Sequence, residues 1–188
     1  LVKALAEANP NLVTVLVAAA PVDLNVVEAY SPTIVVSWFN GSQGGNALAD
    51  VLTGKISPSG KLPFTYPKYV NSLHTYDFKV SEKREMIDGA YNYDAKMDVQ
   101  WSFGDGLSYT TFEYSDLIVD KNTFRKGDTI RFSVNVTNTG DCTGKETVLL
   151  YSSDLVASMI PDVKRLRAFE KVELHPGETK TVDFVINA

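Results

Sequence analysis

The sequence has a single cysteine and only two histidines among its 188 residues. One cysteine excludes an internal disulfide and any metal site built from several cysteines. Cys142 lies between Asp141 and Thr143 in a predicted turn, with no histidine beside it in the sequence to activate a thiol. His74 and His175 are isolated in sequence. We therefore predict no catalytic thiol, no metal site and no cofactor.

The sequence also has no surplus of basic residues and no long apolar run. The chain has 18 Lys and Arg against 23 Asp and Glu, which gives a net charge of −5. Nucleic-acid binding needs a basic face for the phosphates and is not expected. The longest apolar stretch, residues 12–20, has the length of a strand, so no membrane partner is predicted. The composition is that of a globular protein with a packed core.

Helical and strand patterns alternate over residues 1–66. Two nearly continuous apolar runs predict strands that are buried on both faces, and apolar residues at helical spacing predict the helices. This order is typical of a parallel sheet with covering helices, and we predict the C-terminal part of an α/β sandwich. The elements alternate as helix and strand, beginning with a helix, at 1–8, 12–18, 24–30, 33–38, 43–53 and 61–66.

Residues 67–110 show no sustained periodicity and are rich in aromatic side chains. A loop of this length in a compact domain is generally functional or a linker. We predict an aromatic-rich linker that packs against another surface.

Residues 111–188 have an all-β pattern. Ile130, Phe132 and Val134 alternate with polar residues, which predicts a strand with one buried face. Several short strands with regular turns indicate a fibronectin-III or immunoglobulin-like β-sandwich, which usually has seven strands. The chain stops directly after the last of about five predicted strands, and we expect this domain to be truncated at its C-terminus. The predicted strands are 112–120, 129–137, 146–152, 165–174 and 180–187.

Three stretches together resemble the C-terminal half of glycoside hydrolase family 3, the family of β-glucosidases and β-xylosidases. The first reads WFNGSQGGNALADVL from Trp38, followed by PSGKLP from Pro58. The second reads FGDGLSYTTF from Phe103. The third combines the turn from Asn138 with later sandwich residues, and is the least specific. The sequence departs from the family pattern at Asp105, where tyrosine is usual, and in the turn after Trp38, where the family more often has YPGQE.

The resemblance implies a retaining β-glycosidase that removes terminal non-reducing β-D-glycosyl residues from oligosaccharides. Retention requires two carboxyl groups about 5–5.5 Å apart. In the family, the nucleophilic Asp belongs to an N-terminal barrel and the acid/base Glu lies upstream of the segment seen here. We therefore assign no catalytic residue in this chain. The expected partners are a β-glycoside substrate and the missing barrel, and the implied location is periplasmic or secreted.

The turn after the second predicted strand is the candidate substrate-binding site. It follows the carboxyl end of a strand, where open α/β sheets bind ligands. Aromatic rings there would stack on sugars, and polar side chains would bind hydroxyl groups. The alternative is that Trp38 belongs to the core and the glycines merely permit a tight turn. The candidates are Trp38, Phe39, Asn40, Ser42 and Gln43.

Two acids and three linker aromatics are weaker candidates. Asp23 follows a predicted strand and Asp50 lies in a predicted helix, and a structural role is favoured for both. Tyr91, Tyr93 and Trp101 are predicted to pack either locally or against the missing barrel.

Two further roles remain open for residues 111–188. The sandwich either braces the catalytic domains or binds a polysaccharide or a protein. A binding role would require a line of exposed aromatics, and the aromatic residues of this region are mostly predicted to be buried. They are Tyr114, Phe124, Phe132, Tyr151, Phe169 and Phe184.

Overall fold

The computed structural model describes residues 1–69, 75–79 and 98–188. In these ranges no helix is long and apolar enough to cross a membrane. Tyr91, Tyr93 and His74 lie outside the described residues. The elements are α1 (Val2–Ala8), β1 (Val13–Leu16), α2 (Asn25–Tyr30), β2 (Thr33–Val36), a 3₁₀ turn (Gly41–Gln43), α3 (Gly44–Leu52), β3 (Tyr66–Pro67), β4 (Val99–Trp101), β5 (Phe112–Val119), β6 (Thr129–Asn138), β7 (Gly144–Ser152), β8 (Arg165–Leu174) and β9 (Thr179–Asn187).

The first region is a small α/β unit in which β1 and β2 pair in parallel, with Val13 opposite Thr33. The predicted helices and these two strands are confirmed. The helix α1 ends at Ala8, and the backbone of the following Asn9 is extended, because the ring of Pro10 disfavours the helical conformation for the residue before it. After α3, Gly54 takes φ = 76°, a left-handed conformation that glycine adopts without steric cost.

The predicted third strand at 61–66 is wrong. Only Tyr66–Pro67 pair, and they pair antiparallel with β4 in a separate sheet. The preceding residues bond to a later segment instead: the N–H of Leu62 donates to the Asp105 carbonyl (2.8 Å), and the N–H of Gly104 donates to the Leu62 carbonyl (2.9 Å). Long-range pairing of this kind leaves no periodic signal in the local sequence.

The prediction that the first strand is buried on both faces is also wrong for this chain. Val13 and Val17 keep 45% and 58% of their surface exposed. Local sequence records which residues favour burial, whereas coverage depends on elements from elsewhere.

The second region is an antiparallel β-sandwich. One sheet has the order β5-β6-β9, and the other pairs β7 with β8. Its core includes Val136, Leu174, Val182 and Phe184. The predicted alternation holds in β6, where Ile130 is buried and Arg131 is exposed. The fold class, an α/β region followed by a β-sandwich, is confirmed.

The aromatic residues of the sandwich are less buried than predicted. Phe184 is buried and Phe132 is partly buried, but Phe169, Phe124 and Tyr114 are 69%, 52% and 46% exposed. Phe169 lies on β8 opposite Leu149, and Phe124 lies in the loop between β5 and β6. The prediction is therefore wrong for these three residues, because a strand pattern alone does not show which sheet face is covered.

Residues 57–62 connect the α/β region to the sandwich. The Lys61 ammonium lies 3.3 Å from the Glu146 carboxylate and donates to the Gly106 carbonyl (3.0 Å). Lys171 of β8 donates to the Ser59 carbonyl (2.8 Å). The chain also approaches itself closely here, since a Cβ on Gly106 would lie 2.1 Å from the Gly60 carbonyl oxygen.

Candidate functional site

The candidate turn begins where β2 ends. The N–H of Ser37 still donates to Leu16 of β1 (2.8 Å), and Trp38 then takes φ = 50°. A left-handed backbone is uncommon for a bulky residue, and such strain persists where the surrounding structure enforces it. The strained residue therefore marks the point at which the chain leaves the sheet and enters the turn.

Side chains within the turn hold its shape. The Asn40 amide donates to the Ser37 hydroxyl (2.5 Å), and the Asn46 amide donates to Gln43 Oε1 (2.8 Å). A Cβ on Gly44 would lie 2.1 Å from Asn40 Cβ, so only glycine fits at the start of α3. The glycine pair of the sequence motif is thus explained in part by packing.

Four of the five predicted site residues face solvent on this turn. Phe39 is 75% exposed, and Asn40, Ser42 and Gln43 are exposed as well. Trp38 is half-buried, with its ring 5.5 Å from that of Phe64 in an edge-to-face arrangement. The structure brings the five residues together, and the position of Trp38 favours the core alternative for its ring. Their contact with substrate stays a prediction.

A series of aromatic rings extends from Trp38 into the unit. The Phe64 and Tyr66 rings lie 6.0 Å apart, and the Tyr66 and Trp101 rings lie 5.2 Å apart. Tyr66 is fully buried. Its hydroxyl donates to the Val22 carbonyl (3.0 Å) and accepts from the Val22 N–H (2.9 Å). The series therefore links the turn after β2 to the segment after β1.

Sequence reasoning missed the roles of Phe64 and Tyr66. Their only signal was the FTY triplet after Pro63, which does not reveal its partners. For Trp101, the local-packing alternative fits the structure, because its ring packs on Tyr66.

The two acids considered as weaker candidates are both engaged structurally. Asp23 Oδ1 accepts from the backbone N–H of Asn25 (2.9 Å) and from its side-chain amide (2.8 Å). This arrangement satisfies a donor at the start of α2. Asp50 forms an exposed ion pair with Lys55 (2.9 Å). Among the residues that the structure describes, no cluster of three or more His, Cys, Asp and Glu could hold a metal ion.

The contact between the two regions contains a perturbed ionisable group. The Tyr114 hydroxyl donates to Glu146 Oε1 (2.9 Å), and the other carboxylate oxygen faces Lys61. Partial burial of the Tyr114 hydroxyl raises its pKa, and the hydrogen bond and negative charge of Glu146 raise it further. Glu146, which no sequence motif distinguishes, therefore lies at the centre of a polar network with Tyr114 and Lys61.

Comparison with known families shows what this architecture is. Residues 1–109 match the glycosyl hydrolase family 3 C-terminal domain. This chain belongs to glycosyl hydrolase family 3. Residues 146–188 also match a fibronectin type III-like domain. The family 3 resemblance predicted from the sequence motifs is confirmed.

Individual members of family 3 align with nearly the whole chain. A β-glucosidase of Bacteroides ovatus is 41% identical over 99% of this chain, and a periplasmic β-glucosidase of Salmonella typhimurium is 39% identical over 100%. The crystal structure of a Listeria innocua β-glucosidase in complex with glucose superposes on 99% of this chain, with a TM-score of 0.86 and 30% identity. The chain spans only 26%, 25% and 27% of these three family 3 proteins.

Proposed function

We propose that the chain is the C-terminal part of a retaining β-glycosidase of the β-glucosidase type, which removes terminal non-reducing β-D-glycosyl residues from oligosaccharides. The observation that carries the proposal is the alignment of 99% of the chain with the Bacteroides ovatus β-glucosidase. One alignment includes both the α/β region and the sandwich. The likeness therefore extends beyond a common sandwich fold.

The reactive carboxyl groups come from outside this chain. Retaining hydrolysis needs two carboxyl groups about 5–5.5 Å apart on either side of the scissile bond. Asp23 and Asp50, the acids first considered in the α/β region, are engaged by Asn25 and Lys55. In this proposal, a nucleophile on an N-terminal barrel and an upstream acid/base act on the substrate, and the chain contributes a wall of the site.

The turn from Trp38 to Gln43 is the proposed substrate contact. Phe39 presents an exposed ring, and aromatic side chains commonly line ligand sites. Asn40, Ser42 and Gln43 supply amide and hydroxyl groups that both donate and accept hydrogen bonds. The Trp38 ring packs edge-to-face on Phe64 and so helps to hold the turn in place.

The sandwich is proposed as a brace. Its polar contacts to residues 57–62 fix it against the α/β region, and the helix α3 connects those residues to the candidate turn. We retain 1–66, 67–110 and 111–188 as the proposed domain limits. A periplasmic or secreted location is proposed because the Salmonella relative is named as periplasmic.

The test joins this chain to the N-terminal part of the Bacteroides ovatus β-glucosidase, in place of the region that it matches. The chain alone should not hydrolyse 4-nitrophenyl β-D-glucoside, whereas the joined protein should. The proposal fails if the chain alone shows turnover that a single Asp→Asn or Glu→Gln change in it abolishes. It also fails if the joined protein folds but does not hydrolyse any β-glycoside.

A second measurement tests the turn within the joined protein. Phe39→Ala should raise KM for the glucoside about tenfold, which corresponds to roughly 1.4 kcal/mol of lost binding. Phe124→Ala is the matched control, because Phe124 is also exposed (52%) but lies in a sandwich loop. Equal KM values for the two variants would show that Phe39 does not contact the substrate.

The alternative of a carbohydrate-binding sandwich gains one observation, the exposed Phe169 ring. However, Phe169 lies on β8, Tyr114 lies on β5 in the other sheet, and Phe124 lies in a loop. These rings do not share one strand or sheet as a stacking platform. Glycan-array binding by the chain that Phe169→Ala abolishes would favour this alternative over the brace.

A further inference from the structure

The candidate turn contains the only Asn-Gly pair of the sequence, Asn40–Gly41. The backbone nitrogen of a glycine can attack the carboxamide of a preceding asparagine, because glycine has no Cβ to crowd the approach. Both residues are exposed, and nothing lies within 4 Å of the position that a Cβ on Gly41 would take. The turn therefore offers both the solvent and the space that this reaction needs.

The shape of the turn depends on the same glycine. Gly41 takes φ = 66°, a left-handed conformation in which a residue with a side chain is strained. The chain needs this conformation to pass from β2 into α3. The residue that allows the turn is thus also the residue that leaves the Asn40 carboxamide open to attack.

One contact restrains the Asn40 side chain. Its amide nitrogen donates to the Ser37 hydroxyl (2.5 Å), and this is the one hydrogen bond of that side chain among the described residues. An exposed turn opens at a low cost in free energy compared with a packed core. When the bond to Ser37 opens, the carboxamide carbon is free to turn toward the Gly41 nitrogen.

We propose that Asn40 is a site of spontaneous covalent modification, in which it loses ammonia and becomes aspartate or isoaspartate. The Gly41 backbone nitrogen forms a bond to Asn40 Cγ, and the bond from Cγ to Nδ2 breaks. The proton of the Gly41 nitrogen passes through solvent to the departing nitrogen, which leaves as ammonia. One water molecule then opens the resulting succinimide ring at either of its two carbonyl groups.

The two products have different consequences for the turn. Aspartate leaves the main chain unchanged, and its carboxylate accepts a hydrogen bond from the Ser37 hydroxyl. It also lies beside Gly44 at the start of α3, where a negative charge is favourable. Isoaspartate adds one carbon to the main chain, so the spacing of about 3.8 Å between neighbouring Cα atoms is lost. The isoaspartate form therefore displaces Phe39 relative to α3.

The test incubates the chain at mildly alkaline pH and follows the conversion of its asparagines by peptide mass spectrometry. Asn40 should convert at least about tenfold faster than Asn46, which is also exposed but precedes Ala47 within α3. Labelling by an isoaspartate methyltransferase should appear on the Asn40 peptide, and Asn40→Gln should abolish it. Equal conversion of Asn40 and Asn46, or labelling that persists in Asn40→Gln, would overturn the proposal.

Two serine variants test the restraint. Ser37→Ala removes the partner of the Asn40 amide and should speed the conversion of Asn40. Ser42→Ala is the matched control on the same turn and should leave the rate unchanged, because Asn40 bonds to Ser37. Equal rates in both variants would contradict a role of the Ser37 contact.

The consequence for substrate binding rests on the proposed function. In the protein joined to the N-terminal part of the Bacteroides ovatus β-glucosidase, conversion to isoaspartate should raise KM, as Phe39→Ala does. Asn40→Asp carries the charge without the longer main chain and should raise KM less. Mass spectrometry detects the modification without any activity, so an unchanged KM in converted protein would count against substrate contact at the turn and not against the modification.

Discussion

The α/β region and the sandwich contain similar apolar strands but bury them differently. In the sandwich, Leu174 and Val182 are 0% and 1% exposed. In the α/β region Val17 and Val26 keep 58% and 63% of their surface in contact with solvent. The buried apolar residues described there are Leu24 and Tyr66. The sandwich therefore holds most of the core that the structure describes, whereas the α/β region keeps more of its apolar surface exposed.

The largest expected effect contrasts two leucines. Leu174→Ala empties a fully buried position and should lower the free energy of unfolding by about 2–5 kcal/mol. Leu5→Ala makes the same change at a residue that is 46% exposed in α1, and should cost less than about 0.5 kcal/mol. Chemical denaturation of both variants measures the difference. Equal losses would mean that the α/β region has a core of its own.

The second prediction tests the close approach between residues 57–62 and the segment before β5. Gly106→Ala brings a Cβ to 2.1 Å from a backbone oxygen, so the backbone must shift, at a cost of about 2–3 kcal/mol. Gly45→Ala is the control, because nothing lies within 4 Å of its Cβ position in α3. It should stabilise the helix by roughly 0.5–1 kcal/mol. If Gly106→Ala has the same melting temperature as the unchanged chain, the close approach does not constrain the fold as described.

The third prediction compares two ion pairs that involve β7. Glu146→Gln breaks the mostly buried contact with Lys61, whose side chains are 12% and 21% exposed, and should cost about 1–3 kcal/mol. Glu173→Gln breaks the pair with Lys145, which is about half exposed on both sides, and should cost about 0–1 kcal/mol. Calorimetry of Glu146→Gln should also show the two regions melting less cooperatively. A single unchanged transition would argue that Lys61 does not couple them.

The smallest effect concerns Tyr114. Its pKa is raised in the folded state by burial and by Glu146, so the folded chain holds this proton more tightly than the unfolded chain. The resulting stability is fully present below pH about 10 and is lost as the pH rises toward the folded pKa. Tyr114→Phe should cost about 1 kcal/mol at pH 7 and flatten the alkaline loss of stability between pH 9 and 11 in a melting series. An identical alkaline slope in both proteins would contradict this assignment.

Local patterns predicted much of the fold because they record burial and turn chemistry. The alternation around Ile130 predicted β6, and Gly54 marked the end of α3. The position of the candidate turn was predictable, because the turn directly follows the strand β2. Contacts between distant residues were not predictable. The pairing of Leu62 with Asp105 and the packing of Phe64 on Trp38 depend on the whole fold.

Amide hydrogen exchange of the isolated chain tests the central contrast most directly. We predict strong protection in β6 and β9, which pair along their full length over the core, and exchange at least a hundredfold faster in β1 and β2. Equal protection of β1, β2, β6 and β9 would contradict the account, because the α/β region would then be as stable as the sandwich despite its exposed valines.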